Sequence, residues 1–173
     1  MTPGLRKFAL TAHIACSVGW LGAVAAFLVL AIAGLTLQEE QTVRGAYVAM
    51  ELTGWLAIVP LSLASLLTGV VQALGTPWGL FRHYWVLVKL LMTFFATLIL
   101  LVHMQPISYV ARVAAETTLS GDDLISLRIQ LVADAGAGLL VLLVITALSV
   151  YKPRGMTRYG WRKQREQRTV LQS

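Results

Sequence analysis

Four long apolar stretches, separated by short polar segments, set the pattern of this chain. Residues 8–38 contain no Asp, Glu, Lys or Arg, enough for a membrane span of about 20 residues with room for tilt. Arg6 and Lys7 precede this run as they would in a signal peptide. The run is far longer than the roughly 7–15 apolar residues of a signal core, so an uncleaved first span, about 8–34, is expected. A polar connection with Glu39, Glu40, Arg44 and Glu51 leads to a second span at 52–75. Pro60 removes one backbone hydrogen bond there, which predicts a kink near Trp55–Pro60. Gly75-Thr76-Pro77-Trp78-Gly79 reads as a turn, and Trp78, Tyr84 and Trp85 suit an aromatic belt at a membrane interface. The third span covers 84–104 and is expected to end or be disturbed at Pro106. Residues 107–119 are weakly amphipathic and read as helical. Ser120-Gly121-Asp122-Asp123 then supplies a break and an N-cap. The fourth span, 129–151, stops at Lys152-Pro153-Arg154-Gly155. The expected fold is all-α, a four-helix transmembrane bundle of up-down-up-down topology over residues 1–155. A basic tail follows at 156–173.

Composition and charge sharpen this picture. The 173 residues are 57% hydrophobic and only 13% charged, about half the charged fraction of a soluble domain. The net charge of +6 is concentrated, with seven of the fourteen basic residues after position 151. A basic tail beside an apolar helix fits anionic inner-leaflet lipids better than nucleic acid, and no nucleic-acid partner is expected. Ten Lys and Arg fall on the side of the N-terminus, the 75–83 turn and the tail, against Arg44, Arg112 and Arg128 on the other. The positive-inside rule therefore places both termini in the cytoplasm of a plasma-membrane protein. Cys16 is the only cysteine, which excludes an internal disulfide and any Cys-rich metal centre. In an apolar helix it reads as a small buried residue.

Candidate chemistry emerges from depth. At about 1.5 Å per residue, His13 stands roughly 9 Å inside the inner boundary, Lys89 roughly 10 Å and Thr146 roughly 9 Å. Ser65, Thr68 and Gln72 reach the same level on the second span. A polar group in hydrocarbon needs a partner, so these groups are expected to converge in the bundle interior. The alternatives are that Lys89 snorkels toward the cytoplasm and that His13 only bonds a neighbouring helix. Met92 lies one turn from Lys89 and reads either as core or as a soft axial ligand. Trp20 lies nearly two turns beyond His13 on the same face. Small residues (Cys16, Ser17, Gly19, Gly22, Gly69 and Ala73 among them) allow close helix approach near the layer. His103 sits about 21 Å further out than Lys89. Its expected partner is Asp134, with Arg112 and Arg128 as competitors for that carboxylate. His83 falls at the interface, where it reads as solvated. No Ser–His–Asp set, Gly-rich phosphate loop or His-x3-His pair occurs.

A resemblance follows from two of these segments. His13 with Trp20-Leu21-Gly22, and Trp85-Val86-Leu87-Val88-Lys89-Leu90, resemble patterns of a superfamily of small bacterial membrane proteins. It includes the copper-resistance D proteins and the membrane-bound protoporphyrinogen oxidases. The chain differs from the oxidase pattern at Leu87, where those proteins tend to have histidine, and at Ala23, which replaces a second glycine. His103-Met104-Gln105-Pro106-Ile107 and the ending Val150-Tyr151-Lys152-Pro153-Arg154-Gly155 are similar to an uncharacterised four-span family common in actinobacteria. The resemblance implies haem b or porphyrin association, with His13 as a possible iron ligand and Lys89 as a propionate partner or opposite ligand. Gln72, Met92 and Trp20 complete the candidate cofactor site, and His103 with Asp134 forms a separate outer pair. If the chain is an enzyme, the resemblance implies a membrane oxidoreductase acting on porphyrin-type substrates. The alternatives are a non-catalytic scaffold or accessory subunit and, third, a small transporter or metal-handling protein. A homo-oligomer or larger membrane complex is compatible with each.

Overall fold

The computed structural model describes residues 2–75, 84–116 and 122–151, together with 155, 157, 161, 162 and 165. The expectations for Trp78, Arg82, His83, the Ser120-Gly121 break and Lys152-Pro153-Arg154 lie outside the described residues. The elements are helices α1 (Pro3–Thr36), α2 (Glu40–Thr53), a π turn (Gly54–Ile58), α3 (Val59–Gly75), α4 (Tyr84–Glu116) and α5 (Asp122–Tyr151). Four continuous helical units are long and apolar enough to cross a membrane, α2, the π turn and α3 forming one of them. Each unit packs on the next, and α1 also packs on α5, closing a four-helix bundle. The start of α1 meets the end of α3 at His13 and Ser65. The end of α1 meets the starts of α2 and α5 through Tyr47 and Arg128. These contacts make neighbouring spans antiparallel and bring both ends of the bundle chain to one face, here called the terminal end.

Local sequence explains the boundaries. α1 opens with Pro3, whose missing N–H costs nothing in the first turn, and Thr2 accepts a bond from the Leu5 N–H at 3.4 Å. Residues 40–51, expected as a connection, are helical instead. Val43, Ala46, Tyr47 and Met50 recur at helical spacing and are buried, while Glu40 and Arg44 pair at 3.4 Å on the opposite face. The disturbance expected near Trp55–Pro60 takes the form of the π turn, in which the Val59 N–H reaches back to Gly54 O. This wider turn lies just before the residue whose ring would crowd a regular one. Pro106 does not end its helix. α4 runs through it for ten more residues, because α2 and α5 support both sides and one missing N–H is tolerated in a packed helix.

The core lies in the middle and far half of the bundle, around Trp20, Phe27, Tyr47, Met50, Met104 and Val110. Met104 packs into the gap left by Gly54, where a Cβ would stand 2.7 Å from its Cε. All four units carry exposed large apolar side chains, such as Val18, Leu56, Val102 and Leu140. That outer surface suits lipid, and close packing rather than water exclusion holds such helices together. At the terminal end the Tyr84 N–H donates to Gly155 O at 3.4 Å, so the chain after α5 caps the start of α4.

Candidate functional site

The terminal half of the bundle contains a cavity of about 610 Å³. α1 contributes Arg6 and His13, α3 Ser65, Gly69 and Gln72, α4 Trp85, Lys89 and Thr93, and α5 contributes Ser149. His13 is its best-defined group. Its Nδ1 stands 3.1 Å from Ser65 O and 3.1 Å from Thr68 Oγ1. A carbonyl only accepts, so Nδ1 carries the hydrogen and donates to Ser65 O. The Thr68 hydroxyl spends its own hydrogen on Ala64 O at 2.6 Å, leaving its oxygen as a second acceptor for the imidazole. The other ring nitrogen, Nε2, therefore holds a lone pair, and Lys89 Nζ donates to it at 3.4 Å.

Small and hydroxylic residues make this geometry possible. At Gly69 a Cβ would come 3.2 Å from His13 Cε1, so glycine allows α3 to pass close beside the ring. Ser17 and Ser65 bond through their hydroxyls at 2.8 Å and hold α1 to α3 one turn deeper. On α4, Thr93 donates to Lys89 O at 2.9 Å and Thr97 to Thr93 O at 2.9 Å. Both threonines satisfy themselves within the helix and are buried.

The layer inferred from depth thus assembles on three helices: His13, Lys89, Ser65, Thr68 and Gln72 meet at one level. Gln72 lines the cavity, and its Nε2 is enclosed without a hydrogen-bond partner. The cavity is not plugged around His13 and Lys89, and Lys89 is directed at His13 rather than at the aqueous boundary. Two other candidates are placed elsewhere. Trp20 lies in the central core, 4% exposed, with an unpartnered Nε1, and Met92 packs against the same core. Neither lines the cavity. Thr146 bonds Leu142 O within its own helix at 2.8 Å, and Ser149, one turn away, reaches the cavity instead. Arg6 and Trp85 are further wall residues that depth arithmetic did not select. Arg6 lies seven residues before His13 and Trp85 four before Lys89, so helical spacing alone could have found both.

At the far end His103 and Asp134 come together across α4 and α5. His103 Nδ1 donates to Ile99 O at 2.8 Å, and Nε2 lies 3.3 Å from Asp134 Oδ2. That is ion-pair distance, although the enclosed Oδ2 receives no aligned hydrogen bond. Arg128 does not compete for this carboxylate. Its Nε donates to Tyr47 Oη at 2.8 Å, Nη2 donates to Gly34 O, and its charge sits 5.7 Å from the Tyr47 ring centre. Arg112 lies over the Tyr109 ring at 5.9 Å.

Among the described residues no three of His, Cys, Asp and Glu gather to hold a metal ion. Among the described residues the cavity presents the His13 imidazole, the Lys89 amino group, the Arg6 guanidinium and the unpartnered Gln72 amide. This set could hold a metal through one imidazole nitrogen and neutralise acidic substituents. No family model, no curated protein and no solved structure matches this chain.

Proposed function

We propose that this polytopic membrane protein holds a haem- or porphyrin-type macrocycle in the cavity between α1, α3 and α4. The observation that carries the reading is the approach of His13 Nε2 and Lys89 Nζ, 3.4 Å apart, on one open cavity of about 610 Å³. That volume lies within the roughly 300–1,000 Å³ of small-molecule and cofactor sites. The residues fit the group. Nδ1 is fixed by Ser65, so Nε2 is the ring atom that would hold the iron. Lys89, Arg6 and the unpartnered Gln72 amide are the cavity donors for carboxylates. A bound haem would supply one-electron redox chemistry, whereas an iron-free porphyrin would be a substrate or cargo. The resemblance of the His13 and Lys89 segments to the copper-resistance D and protoporphyrinogen oxidase superfamily implies the same kind of ligand.

Titration of the detergent-purified protein with haem b tests this reading. A Soret shift should saturate at one equivalent per chain. Lys89→Met should weaken binding about tenfold or more, the worth of one charge-assisted hydrogen bond. Lys89→Arg should restore part of it, since a guanidinium also binds carboxylates but occupies a different shape. Unchanged affinity in Lys89→Met would remove Lys89 from the site.

A second reading has its own support. The bonds from His13 to Ser65 and Thr68, and from Ser17 to Ser65, tie α1 to α3 without any ligand. In a scaffold or accessory subunit that cross-linking would be their whole role, and no chromophore would bind at any concentration.

The reading also places both termini in the cytoplasm, with the basic tail on anionic inner-leaflet lipids. In a Cys16→Ala background, single cysteines in 39–50 and 106–122 should react with an impermeant reagent from outside intact cells. Cysteines in 156–173 should react only after permeabilisation. Labelling of the tail from outside would reverse the orientation.

A further inference from the structure

At the end opposite the termini, α2 and α4 bound a second, more open cavity of about 620 Å³. Glu51 projects from α2, and Gln105, Ser108, Tyr109 and Arg112 project from α4. Its depth can be placed from helix rise. A hydrocarbon core takes about 20 helical residues, so on α4, counting from Tyr84, it ends near Met104. Counting back from Gly75 on the antiparallel unit, it ends near Trp55. The cavity therefore stands at headgroup level, with Glu51 about one turn beyond the hydrocarbon and Arg112 about two. Aromatic placement agrees. Trp55 and Tyr109 are exposed there, and the Trp55 indole N–H donates to Ser108 Oγ at 3.3 Å, as an interfacial tryptophan does.

The charges carry the inference. Glu51 and Arg112 line one cavity with opposite signs, yet no ion pair joins them. The Arg112 guanidinium lies over Tyr109, and the carboxylates paired within 4 Å of a described base are Glu40 and Asp134. An acid and a base that line one open cavity without pairing complement a ligand with both charges. Below them, toward the membrane centre, α2, the π turn and α4 expose Leu52, Leu56, Leu98 and Val102, an apolar flank continuous with the headgroup level.

The geometry points to a binding site for a zwitterionic aminophospholipid, its phosphate on Arg112 and its primary ammonium on Glu51. A guanidinium matches phosphate oxygens with paired N–H donors, and Ser108 and Gln105 offer further polar contacts. The ammonium N–H groups give the Glu51 carboxylate hydrogen bonds that a quaternary choline cannot. A purely anionic headgroup would set an uncharged group, in place of the ammonium, beside Glu51 and leave that carboxylate without a cation. The acyl chains would follow the apolar flank. The site is independent of the macrocycle cavity, at the other end of the bundle.

Native mass spectrometry of the protein, released from micelles containing equal phosphatidylethanolamine, phosphatidylcholine and phosphatidylglycerol, tests this directly. Wild type should retain phosphatidylethanolamine in preference to both others. Arg112→Gln should lower phosphatidylethanolamine retention about tenfold, the loss of one charge-assisted contact to phosphate. Glu51→Gln should abolish the discrimination against phosphatidylglycerol. Both variants change exposed or half-buried side chains, and an unchanged melting temperature will show that they fold. Equal retention of the three lipids by wild type, or the wild-type pattern in both variants, would overturn the assignment. Retention of free glycerophosphoethanolamine as strongly as the intact lipid would show a site for a soluble zwitterion and overturn the lipid.

Discussion

Arg128→Met should lower the stability of the bundle by about 2–4 kcal/mol, the cost of removing hydrogen bonds from a charged donor and stranding their acceptors. Gly34 lies in the last turn of α1, where backbone carbonyls lack partners inside the helix. Arg128 donates to that carbonyl, and its positive charge is favourable at a helix C-terminus. Its second bond holds the hydroxyl of Tyr47, which is 2% exposed. One side chain of α5 thereby ties the end of α1 to α2. Gly34→Ala should be damaging for a different reason. Its Cβ would stand 2.8 Å from Tyr47 Cζ, and a buried ring cannot step aside; overpacking of this kind costs about 1–3 kcal/mol. Tyr47→Phe keeps the ring and loses one acceptor, so it should cost about 1 kcal/mol. Detergent-solubilised melting curves check the order Arg128→Met, Gly34→Ala, Tyr47→Phe. A wild-type melting temperature for Arg128→Met would mean that the clasp contributes nothing.

His13→Ala should have the largest effect on ligand binding. It removes the lone pair at Nε2, and among the described residues that line the cavity His13 is the one histidine. Haem affinity should fall by about a hundredfold or more, the scale on which metal sites lose affinity when a ligand or its support is removed. His103→Ala should leave binding within about twofold, because it lies roughly 20 Å along the bundle from His13. Gly69→Ala refines the test. Its Cβ would press on His13 Cε1 from 3.2 Å, so the ring must give by a few tenths of an ångström. A shifted Soret maximum with modest loss of affinity is expected. Equal loss in His13→Ala and His103→Ala would point to general unfolding rather than to ligation.

Much of this arrangement was legible in the sequence, for identifiable reasons. Long uncharged runs define spans because a bilayer tolerates no exposed backbone. Two polar groups at matched depth, His13 and Lys89, have few places to go in hydrocarbon except toward each other, and they meet at 3.4 Å. The same reasoning paired His103 with Asp134. Depth alone does not give helix rotation. Depth could not distinguish Thr146 from Ser149, or tell that Met92 and Trp20 turn into the core. Arg128 reads from charge as a competitor for Asp134, because its actual partners, a tyrosine hydroxyl and a helix-end carbonyl, carry no formal charge to advertise them. The 40–51 segment reads as a connection from its charges, although its buried positions recur at helical spacing. Pro106 reads as an end or disturbance of its helix, but packed neighbours hold the helix through it.

The central claim is most directly tested by the absorption spectrum of wild-type protein purified from cells supplied with haem precursors. The account predicts a Soret band that co-purifies with the chain at up to one equivalent, is lost in His13→Ala and persists in His103→Ala. A colourless wild-type protein that also fails to bind added haem b, while melting cooperatively, would contradict it and leave the polar layer as helix packing alone.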